Sequence, residues 1–374
     1  MNRYTRVFKL KPFFGENHHL MLTKDSYQYG DVEWKYTLGS RAIIVPPELT
    51  DLFIDENLEA IYHRPNLSLK IFYYTPYLNN ITMYECVGSG HMDDIGENVV
   101  ESTKVQNIFS VYGLAPRVYD LVWLKDGDRY FAAQITDFIP HRNENYNNQN
   151  DILNKVSRMC EDLDIRRGDA QIKDVIGGKY VDFQKYRFRN DFARRLIYRA
   201  NVGLSWGGSN IPYQSIEEMD IGGTRENIER NKLLEIDVPH GFTALDFGCN
   251  GGFFLRRAFD AGASYAVGVD KKRVIQSAAE LNYYLGYFGI DFTEKLPEKE
   301  FDVAYMLAVN AFSEEGREKI FNQTKKVLFF EGHAGHKKQE YLPMLRAHFK
   351  HVDIVGYATD NPKGVKRLVI KATK

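Results

Sequence analysis

A glycine-rich turn with acidic residues on both sides is the part of this sequence best suited to ligand chemistry. The chain reads Phe-Thr-Ala-Leu-Asp-Phe-Gly-Cys-Asn-Gly-Gly from Phe242 to Gly252, and a second apolar run ends at Asp270. Glycines let a ligand approach the backbone closely, and an acid after the second strand can accept both hydroxyls of a ribose. The order of strand, glycine turn, helix, strand and acid predicts a nucleotide-type site at the carboxyl end of a parallel sheet.

The polar residues of the turn indicate which kind of nucleotide it binds. A dinucleotide site carries Gly-x-Gly-x-x-Gly against a pyrophosphate. Here Asp246 opens the turn and Asn250 stands at the second glycine position. A carboxylate there repels a pyrophosphate but suits a ligand that carries an ammonium group. The sequence therefore favours a cationic ligand, and an ordinary glycine-containing strand-to-helix turn is the alternative.

This segment resembles motif I of the class I S-adenosylmethionine (SAM) methyltransferases, which reads (Asp/Glu)-x-Gly-x-Gly-x-Gly. The resemblance covers about residues 213–374, where apolar runs alternate with helix-like segments and the last two runs flank a turn. It implies SAM as the cofactor and a Rossmann-like seven-stranded sheet. The residues it assigns to SAM are Asp246, Gly248, Cys249, Asn250 and Gly252 for the methionine part, Asp270 for the ribose, Asp291 and Phe292 near the adenine, and Leu307 at the end of the fourth strand.

Two polar residues at the end of the fifth apolar run, Glu331 and His333, are the candidates for catalytic proton transfer. A hydroxyl acceptor must lose its proton during methyl transfer, and a histidine titrates near neutral pH. The alternative for His333 is a place in a surface loop. The fourth run lacks the Asn/Asp-Pro-Pro-aromatic motif, so amino-methylation of DNA bases in that style is not supported.

A segment rich in polar residues precedes the first strand of this half. It contains Tyr213, Gln214, Arg225 and Arg230, which we expect to lie on a lid. Arginine and glutamine there could clamp the SAM carboxylate or an anionic acceptor. A solvated helix face is the alternative.

The N-terminal half carries a second pattern of strands, a helix and acids. It resembles the kinase-like folds of the choline and aminoglycoside kinases. That resemblance implies ATP-site roles for Lys70 on the third strand, Glu101 on the helix, Asp169 in the catalytic loop, Asp174 where the family has Asn, and Asp182 on magnesium.

Three departures from the kinase pattern bear on activity. No glycine-rich loop precedes Lys70, the catalytic-loop histidine is absent, and the metal motif reads Asp-Phe-Gln from Asp182. We therefore expect a degenerate kinase-like domain that binds or scaffolds. An active phosphotransferase and an unrelated α+β domain are the alternatives.

Length and composition bound the remaining classes. A chain of 374 residues predicts two domains, which we place at 1–200 (α+β, kinase-like) and 201–374 (α/β, methyltransferase). Apolar residues make up 44%, the net charge is −1, and neither a membrane span nor a signal peptide is evident. Three cysteines without a CxxC motif argue against a disulfide framework and a metal site. We expect a cytoplasmic protein.

One basic and aromatic stretch keeps RNA among the candidate partners. Lys185–Arg199 interleaves arginines with aromatic rings, which can track phosphates and stack on bases. The favoured alternative is an amphipathic linking helix with Phe188, Phe192 and Leu196 buried.

Three functions remain open from the sequence. We favour methyl transfer from SAM to a hydroxyl of a small molecule or a glycan, because kinase-like and methyltransferase parts joined in the reverse order resemble bacterial enzymes that cap polysaccharides. An RNA methyltransferase and a non-catalytic SAM- or nucleotide-binding regulator are the alternatives. The acceptor atom and the oligomeric state are left open.

Overall fold

Two compact units, Met1–Phe192 and Ala193–Lys374, make up the chain. The computed structural model describes residues 6–9, 21–22, 26–29, 32–35, 42–72, 99–126, 129–140, 146–168, 170–205, 209–309, 314–332, 338–359 and 365–374. Each unit has its own β-sheet and its own apolar core.

The first unit is built on a five-stranded sheet in the order β1-β7-β8-β6-β5. Its strands are β1 (Val7–Lys9), β5 (Ala42–Val45), β6 (Leu67–Phe72), β7 (Val118–Asp126) and β8 (Arg129–Asp137), with a separate three-stranded sheet of β2 (Met21–Leu22), β3 (Ser26–Tyr29) and β4 (Val32–Lys35). Strand β1 runs parallel to β7, and the other pairs of the larger sheet are antiparallel.

Helices pack on both faces of this sheet, because side chains on β6 alternate between them. Leu69 and Ile71 pack in a core with α1 (Pro47–Phe53) and α2 (Leu58–Tyr62). Lys70 lies directly opposite Gln134 on β8, whose Nε2 donates to Thr103 Oγ1 on α3 (Val99–Val111) at 2.6 Å. The lysine face of the sheet is therefore the face on which α3 packs.

A helix and short strand pairs complete the first unit. They are α4 (Tyr146–Leu163), β9 (Ile165–Arg166) paired with β12 (Arg187–Phe188), a 3₁₀ turn at Ile172–Asp174, and the hairpin of β10 (Val175–Ile176) and β11 (Lys179–Tyr180). A cluster of aromatic rings fills the space behind the hairpin, with centroids of Phe183 at 5.0 Å from both Tyr180 and Tyr186. The sheet, the helix α3 and the hairpin between two acid-bearing segments follow the kinase-like order.

The second unit is a seven-stranded sheet in the order β15-β14-β13-β16-β17-β19-β18. Its strands are β13 (Thr243–Phe247), β14 (Tyr265–Val269), β15 (Ile290–Thr293), β16 (Phe301–Leu307), β17 (Thr324–Glu331), β18 (His351–Ala358) and β19 (Arg367–Thr373). The first five are parallel, and β19 is antiparallel to both of its neighbours. This strand order with an antiparallel closing hairpin is the class I methyltransferase fold, so the expected fold class is confirmed.

Six α-helices accompany this sheet among the described residues. They are α5 (Phe192–Leu204), α6 (Ile228–Lys232), α7 (Phe253–Asp260), α8 (Lys272–Tyr284), α9 (Glu314–Gln323) and α10 (Lys338–Arg346). Buried apolar side chains of the central strands fill a core on each sheet face, as buried parallel strands require. No described helix has both the length and the apolar character of a membrane span.

Helix α5 is amphipathic and packs closely on α8. Leu196 is buried, and Tyr198 is 70% exposed. A Cβ on Gly203 would lie 1.8 Å from Ser277 Oγ, so only glycine allows this approach. Arg199 binds the buried Glu280 through Nε and Nη2 at 2.9 and 2.8 Å. These contacts support the packed-helix interpretation from Phe192 onward. The expectation was wrong for the residues before it, because Phe188 lies on β12 and is half-buried.

Candidate functional site

The glycine-rich turn lies between β13 and α7, at the carboxyl edge of the sheet. Gly248, Asn250 and Gly252 have φ angles of 80°, 46° and 77°, the left-handed region that favours glycine. A Cβ on Gly248 would also lie 2.8 Å from Val309 Cγ2. The Gly248 N–H donates to the Val269 carbonyl at 2.8 Å, which ties the turn to the end of β14. This position therefore needs glycine for both its backbone angle and its space.

Asp270 joins the end of β14 to the turn. Its Oδ2 accepts a hydrogen bond from the Asn250 N–H at 3.0 Å, and its Oδ1 accepts one from the Lys271 N–H at 2.8 Å. The Asp270 N–H donates to the Thr293 carbonyl on β15 at 3.2 Å. The half-buried carboxylate is thus fixed beside the turn, in a position where it could accept hydrogen bonds from the two hydroxyls of a ribose.

Asp246 is a buried carboxyl group at the start of the turn, only 2% exposed. Its Oδ2 has no hydrogen-bond donor among the described residues. Burial raises the pKa of Asp246 to about 7, with Arg230 opposing the rise and Asp270 adding to it. A carboxyl in this state gains most from a ligand that brings a positive charge.

The side chains of Cys249 and Phe292 pack against the backbone of the turn and its neighbouring strand. Cys249 is fully buried, and burial raises the pKa of its thiol well above the ordinary value, with Asp246 and Asp270 adding to the rise. Such a thiol stays protonated and unreactive. Phe292 packs against Gly252 and Gly268, where a Cβ would lie 3.1 and 2.9 Å from its ring. Both residues support the backbone of the turn.

The other two cofactor candidates lie on neighbouring strands. Asp291 is buried on β15 and accepts a hydrogen bond from the Tyr265 hydroxyl at 2.8 Å. Leu307 ends β16, and Ala308 follows it with a φ of 58°. Leu307 is therefore at the carboxyl edge, whereas Asp291 is engaged with a side chain from the beginning of β14.

Glu331, one of the two catalytic candidates, lies at the carboxyl end of β17 between arginines. Its Oε1 accepts from Arg225 Nη2 at 2.6 Å and its Oε2 from Arg230 Nη1 at 2.9 Å, and Arg367 Nη1 is 3.6 Å from Oε1. Burial alone would raise the pKa of Glu331, but Arg230 and Arg225 outweigh it and hold the pKa below its ordinary value. A carboxylate held this way is a weak base, so the contacts favour an anchoring role. His333 lies outside the described residues.

The expected lid residues are part of the folded unit. Arg225 and Arg230 are each 1% exposed, and Arg230 also stacks over the Phe254 ring at 4.6 Å. Tyr213 donates its backbone N–H to the Leu204 carbonyl at 2.9 Å. The segment before β13 is thus bound to the sheet and to α5 through long-range contacts.

Sequence reasoning missed a third buried arginine, Arg256 on α7. Its Nε donates to Glu218 Oε1 at 2.9 Å, and its Nη1 donates to the Gly251 carbonyl at 2.7 Å. Asn282 Nδ2 on α8 reaches the same carbonyl at 3.0 Å. These contacts hold the turn from behind. The only local sign was a pair of arginines, Arg256 and Arg257, directly after the three apolar residues that begin α7.

Some of the candidate residues of the kinase-like unit lie close together: Lys70, Asp174 and Asp182 are on adjacent segments. Lys70 Nζ, on a side chain that is mostly buried, donates to the Val181 carbonyl at 3.0 Å, next to Asp182. The Val181 N–H donates to the Asp174 carbonyl at 2.9 Å, so the two acid-bearing segments are adjacent. Asp182 Oδ1 accepts from the Gln184 N–H at 3.4 Å.

Glu101 and Asp169 complete the set of kinase-like candidates. Glu101 accepts from the Phe188 N–H at 2.7 Å and pairs with Arg187 Nε at 3.6 Å. Asp169 lies outside the described residues. Within those residues no group of three or more His, Cys, Asp or Glu side chains could hold a metal ion.

Known proteins resemble this chain in structure only. The sequence matches no protein-family model and no curated protein. The bifunctional kinase-methyltransferase WbdD is 18% identical over 46% of this chain and 45% of its own, with a TM-score of 0.38. A SAM-dependent methyltransferase from Mesorhizobium loti is 17% identical over 39% of this chain and 96% of its own, with a TM-score of 0.30.

A third solved structure, the YcgJ protein from Bacillus subtilis, is 14% identical over 39% of this chain and 97% of its own, with a TM-score of 0.32. The chain spans less than half of the length of WbdD. At these identities the similarity concerns the fold alone. The strand order of the second unit is by itself that of the class I methyltransferase fold, and the unit before it has a kinase-like order of elements.

Proposed function

We propose that this chain transfers a methyl group from SAM to a hydroxyl of a small-molecule or glycan acceptor, with the kinase-like unit acting as a scaffold that shapes the acceptor site. The observation that supports this most is the Asp270 carboxylate bound to the Asn250 N–H of the glycine-rich turn. The turn lets a ligand approach its backbone closely, and an acid is fixed beside it at the carboxyl edge of an α/β sheet. Together they form a site for a nucleoside.

The roles of the residues follow from their chemistry. SAM supplies a methyl group on a sulfonium centre. Asp246 favours the positive end of that cofactor, and Asp270 accepts the ribose hydroxyls. His333, by its place in the sequence after β17, is the proposed base for the acceptor hydroxyl. Glu331 holds Arg225 and Arg230 at the same edge.

Calorimetric titration tests cofactor binding directly. The protein should bind SAM and S-adenosylhomocysteine with micromolar affinity, roughly −8 kcal/mol. Asp270→Ala should lose about 2 kcal/mol, because charge-assisted hydrogen bonds to the ribose are removed. Asp353→Ala, an exposed aspartate on β18, is the matched control and should bind as the wild type does. A folded wild type that binds neither ligand would refute the proposal.

An acceptor screen with labelled SAM separates the proposed enzyme from the alternatives. Label transferred to a glycan or small hydroxyl compound supports the proposal. Transfer to RNA, with affinity falling steeply as salt rises, would indicate an RNA methyltransferase instead. Cofactor binding without transfer to any acceptor would indicate a regulator.

The proposed base is tested by substitution. His333→Ala should lower the methylation rate about a hundredfold while leaving SAM affinity intact, because general-base catalysis supplies that much. The wild-type rate should rise with pH through about 6.5, where histidine ordinarily titrates. An unchanged rate in the variant would assign His333 to a surface loop.

A further inference from the structure

Three acceptor atoms around the glycine-rich turn are buried without a hydrogen-bond donor among the described residues. They are Oδ2 of Asp246, Oε1 of Gln214 and Oδ1 of Asn250. A buried acceptor left without a donor costs about 1–3 kcal/mol, so each such atom in a folded protein needs a reason. Their grouping at one turn suggests a ligand that brings N–H donors.

Gln214 belongs to the segment before the sheet, yet its side chain lies against the turn. It is 6% exposed. Its Oε1 is 3.9 Å from the position that a Cβ on Gly251 would take. The Leu204 carbonyl accepts from both the Tyr213 N–H and Asn250 Nδ2, at 2.9 and 3.2 Å, which joins the neighbour of Gln214 to the turn.

The backbone around Gln214 is fixed by a bridge to a second strand-like segment. The Ser215 N–H donates to the Arg225 carbonyl at 3.2 Å, and the Arg225 N–H donates to the Tyr213 carbonyl at 2.9 Å. The Arg225 guanidinium is in turn bound to Glu331 at 2.6 Å. Gln214 therefore has a defined position before any ligand arrives, which lowers the entropic cost of binding.

We propose that Gln214 is a cofactor-binding residue, whose Oε1 accepts a hydrogen bond from the α-ammonium group of SAM together with Asp246. This inference rests on the proposed function. An ammonium carries three N–H donors and no acceptor, which matches a group of acceptors that lack donors. Asp270 is already assigned to the ribose hydroxyls. The acceptors without a donor are therefore assigned to the amino-acid end of the cofactor.

Two ligands that differ in that end test the proposal. S-adenosylhomocysteine carries the ammonium, and 5′-methylthioadenosine has the same nucleoside without the amino-acid portion. Gln214→Leu should weaken binding of S-adenosylhomocysteine about tenfold, because one hydrogen bond to a charged group is lost. The affinity for 5′-methylthioadenosine should change less than about twofold.

Gln323→Leu is the matched control. Gln323 ends α9 at the amino edge of the same sheet, and its Oε1 is likewise buried without a donor among the described residues. Its replacement should leave both affinities unchanged. Gln214→Asn keeps the amide but draws it back by one methylene, so it should show the same selective loss if Gln214→Leu does not fold.

The outcomes separate the two proposals. An unchanged affinity of Gln214→Leu for S-adenosylhomocysteine, or an equal loss for both ligands in the folded Leu and Asn variants, would overturn the role of Gln214. A wild type that binds neither ligand would overturn the proposed function instead. A loss confined to S-adenosylhomocysteine supports both.

Discussion

Asp246 is the residue whose charge most directly couples the site to pH. Its pKa is raised to about 7, mainly by burial. The charged and titratable groups that interact with it are Arg230, Asp270, Cys249 and Tyr305. An ammonium group placed beside the carboxyl favours its charged form, so binding should release a proton.

We therefore expect the affinity for S-adenosylhomocysteine to depend on pH. It should be greatest above about 7 and fall by up to about tenfold per pH unit below that value, because the proton must leave before the ammonium binds. Titration between pH 5.5 and 8 measures this dependence, and Asp246→Asn should flatten it. An equally steep dependence in Asp246→Asn would assign the proton to another group.

The raised pKa of Asp246 also affects folding stability. Stability should fall as the pH rises, whereas ligand affinity should increase. The pKa of Asp246 is higher in the folded state than its ordinary value of 3.8, so the folded state holds the proton more tightly. Its contribution to stability is complete below about 3.8 and is lost as the pH rises through about 7. Thermal unfolding of the ligand-free protein at pH 5 and pH 8 should therefore differ less in Asp246→Asn than in the wild type.

Local residue patterns explain why part of the site was predictable. The turn from Asp246 to Gly252 and the acid at Asp270 are read from one short stretch, because glycine requirements and strand ends are local properties. The partners of Glu331 could not be predicted in this way, since Arg225 and Arg230 precede it by 106 and 101 positions. No pattern within one element reports a contact at that distance.

At the scale of elements, the ion-pair cluster fastens the segment before β13 to the end of β17. The single carboxylate of Glu331 bridges two buried guanidinium groups. Removing the carboxylate would take the hydrogen-bonded counterion Glu331 away from both buried charges, which is strongly destabilising.

We expect Glu331→Gln to lower the free energy of unfolding by about 3 kcal/mol. Glu298→Gln, which alters an exposed pair with Lys319, is the control and should change it by less than about 0.5 kcal/mol. Urea unfolding measures both. If Glu331→Gln abolished turnover while stability stayed unchanged, Glu331 would be a catalytic base and not an anchor.

The helices and strands of the second unit follow closely from sequence pattern. Its strands alternate with helices as the apolar runs predict, and the last two runs pair with each other as β18 and β19. Helix α5 required tertiary information, because its arginine-rich face is explained by Glu280, a residue 81 positions away.

At the scale of the whole molecule, two units with different folds share one chain. The kinase-like unit brings Lys70 to the segment that carries Asp182, but Lys70 Nζ donates to a backbone carbonyl there. Phosphoryl transfer rests on a lysine at the phosphates and on metal-bound acids. The sequence also lacks a glycine-rich loop to cover the phosphates.

We therefore expect weak or absent ATP binding and no phosphoryl transfer. A working site saturated at a hundred times its Kd would stabilise the protein by about 2.7 kcal/mol. Thermal-shift scans with ATP and magnesium should show no such effect. A magnesium-dependent stabilisation that disappears in Asp182→Ala would show an active nucleotide site.

The long separation between Glu331 and its arginines also has a consequence for synthesis of the chain. Translation produces Arg225 and Arg230 about a hundred residues before their shared carboxylate. Until β17 has left the ribosome, neither guanidinium can be buried against Glu331, and the segment carrying Gln214 lacks this connection to the sheet. The connection between the segment before β13 and the end of β17 is therefore among the last contacts of this unit that synthesis makes possible.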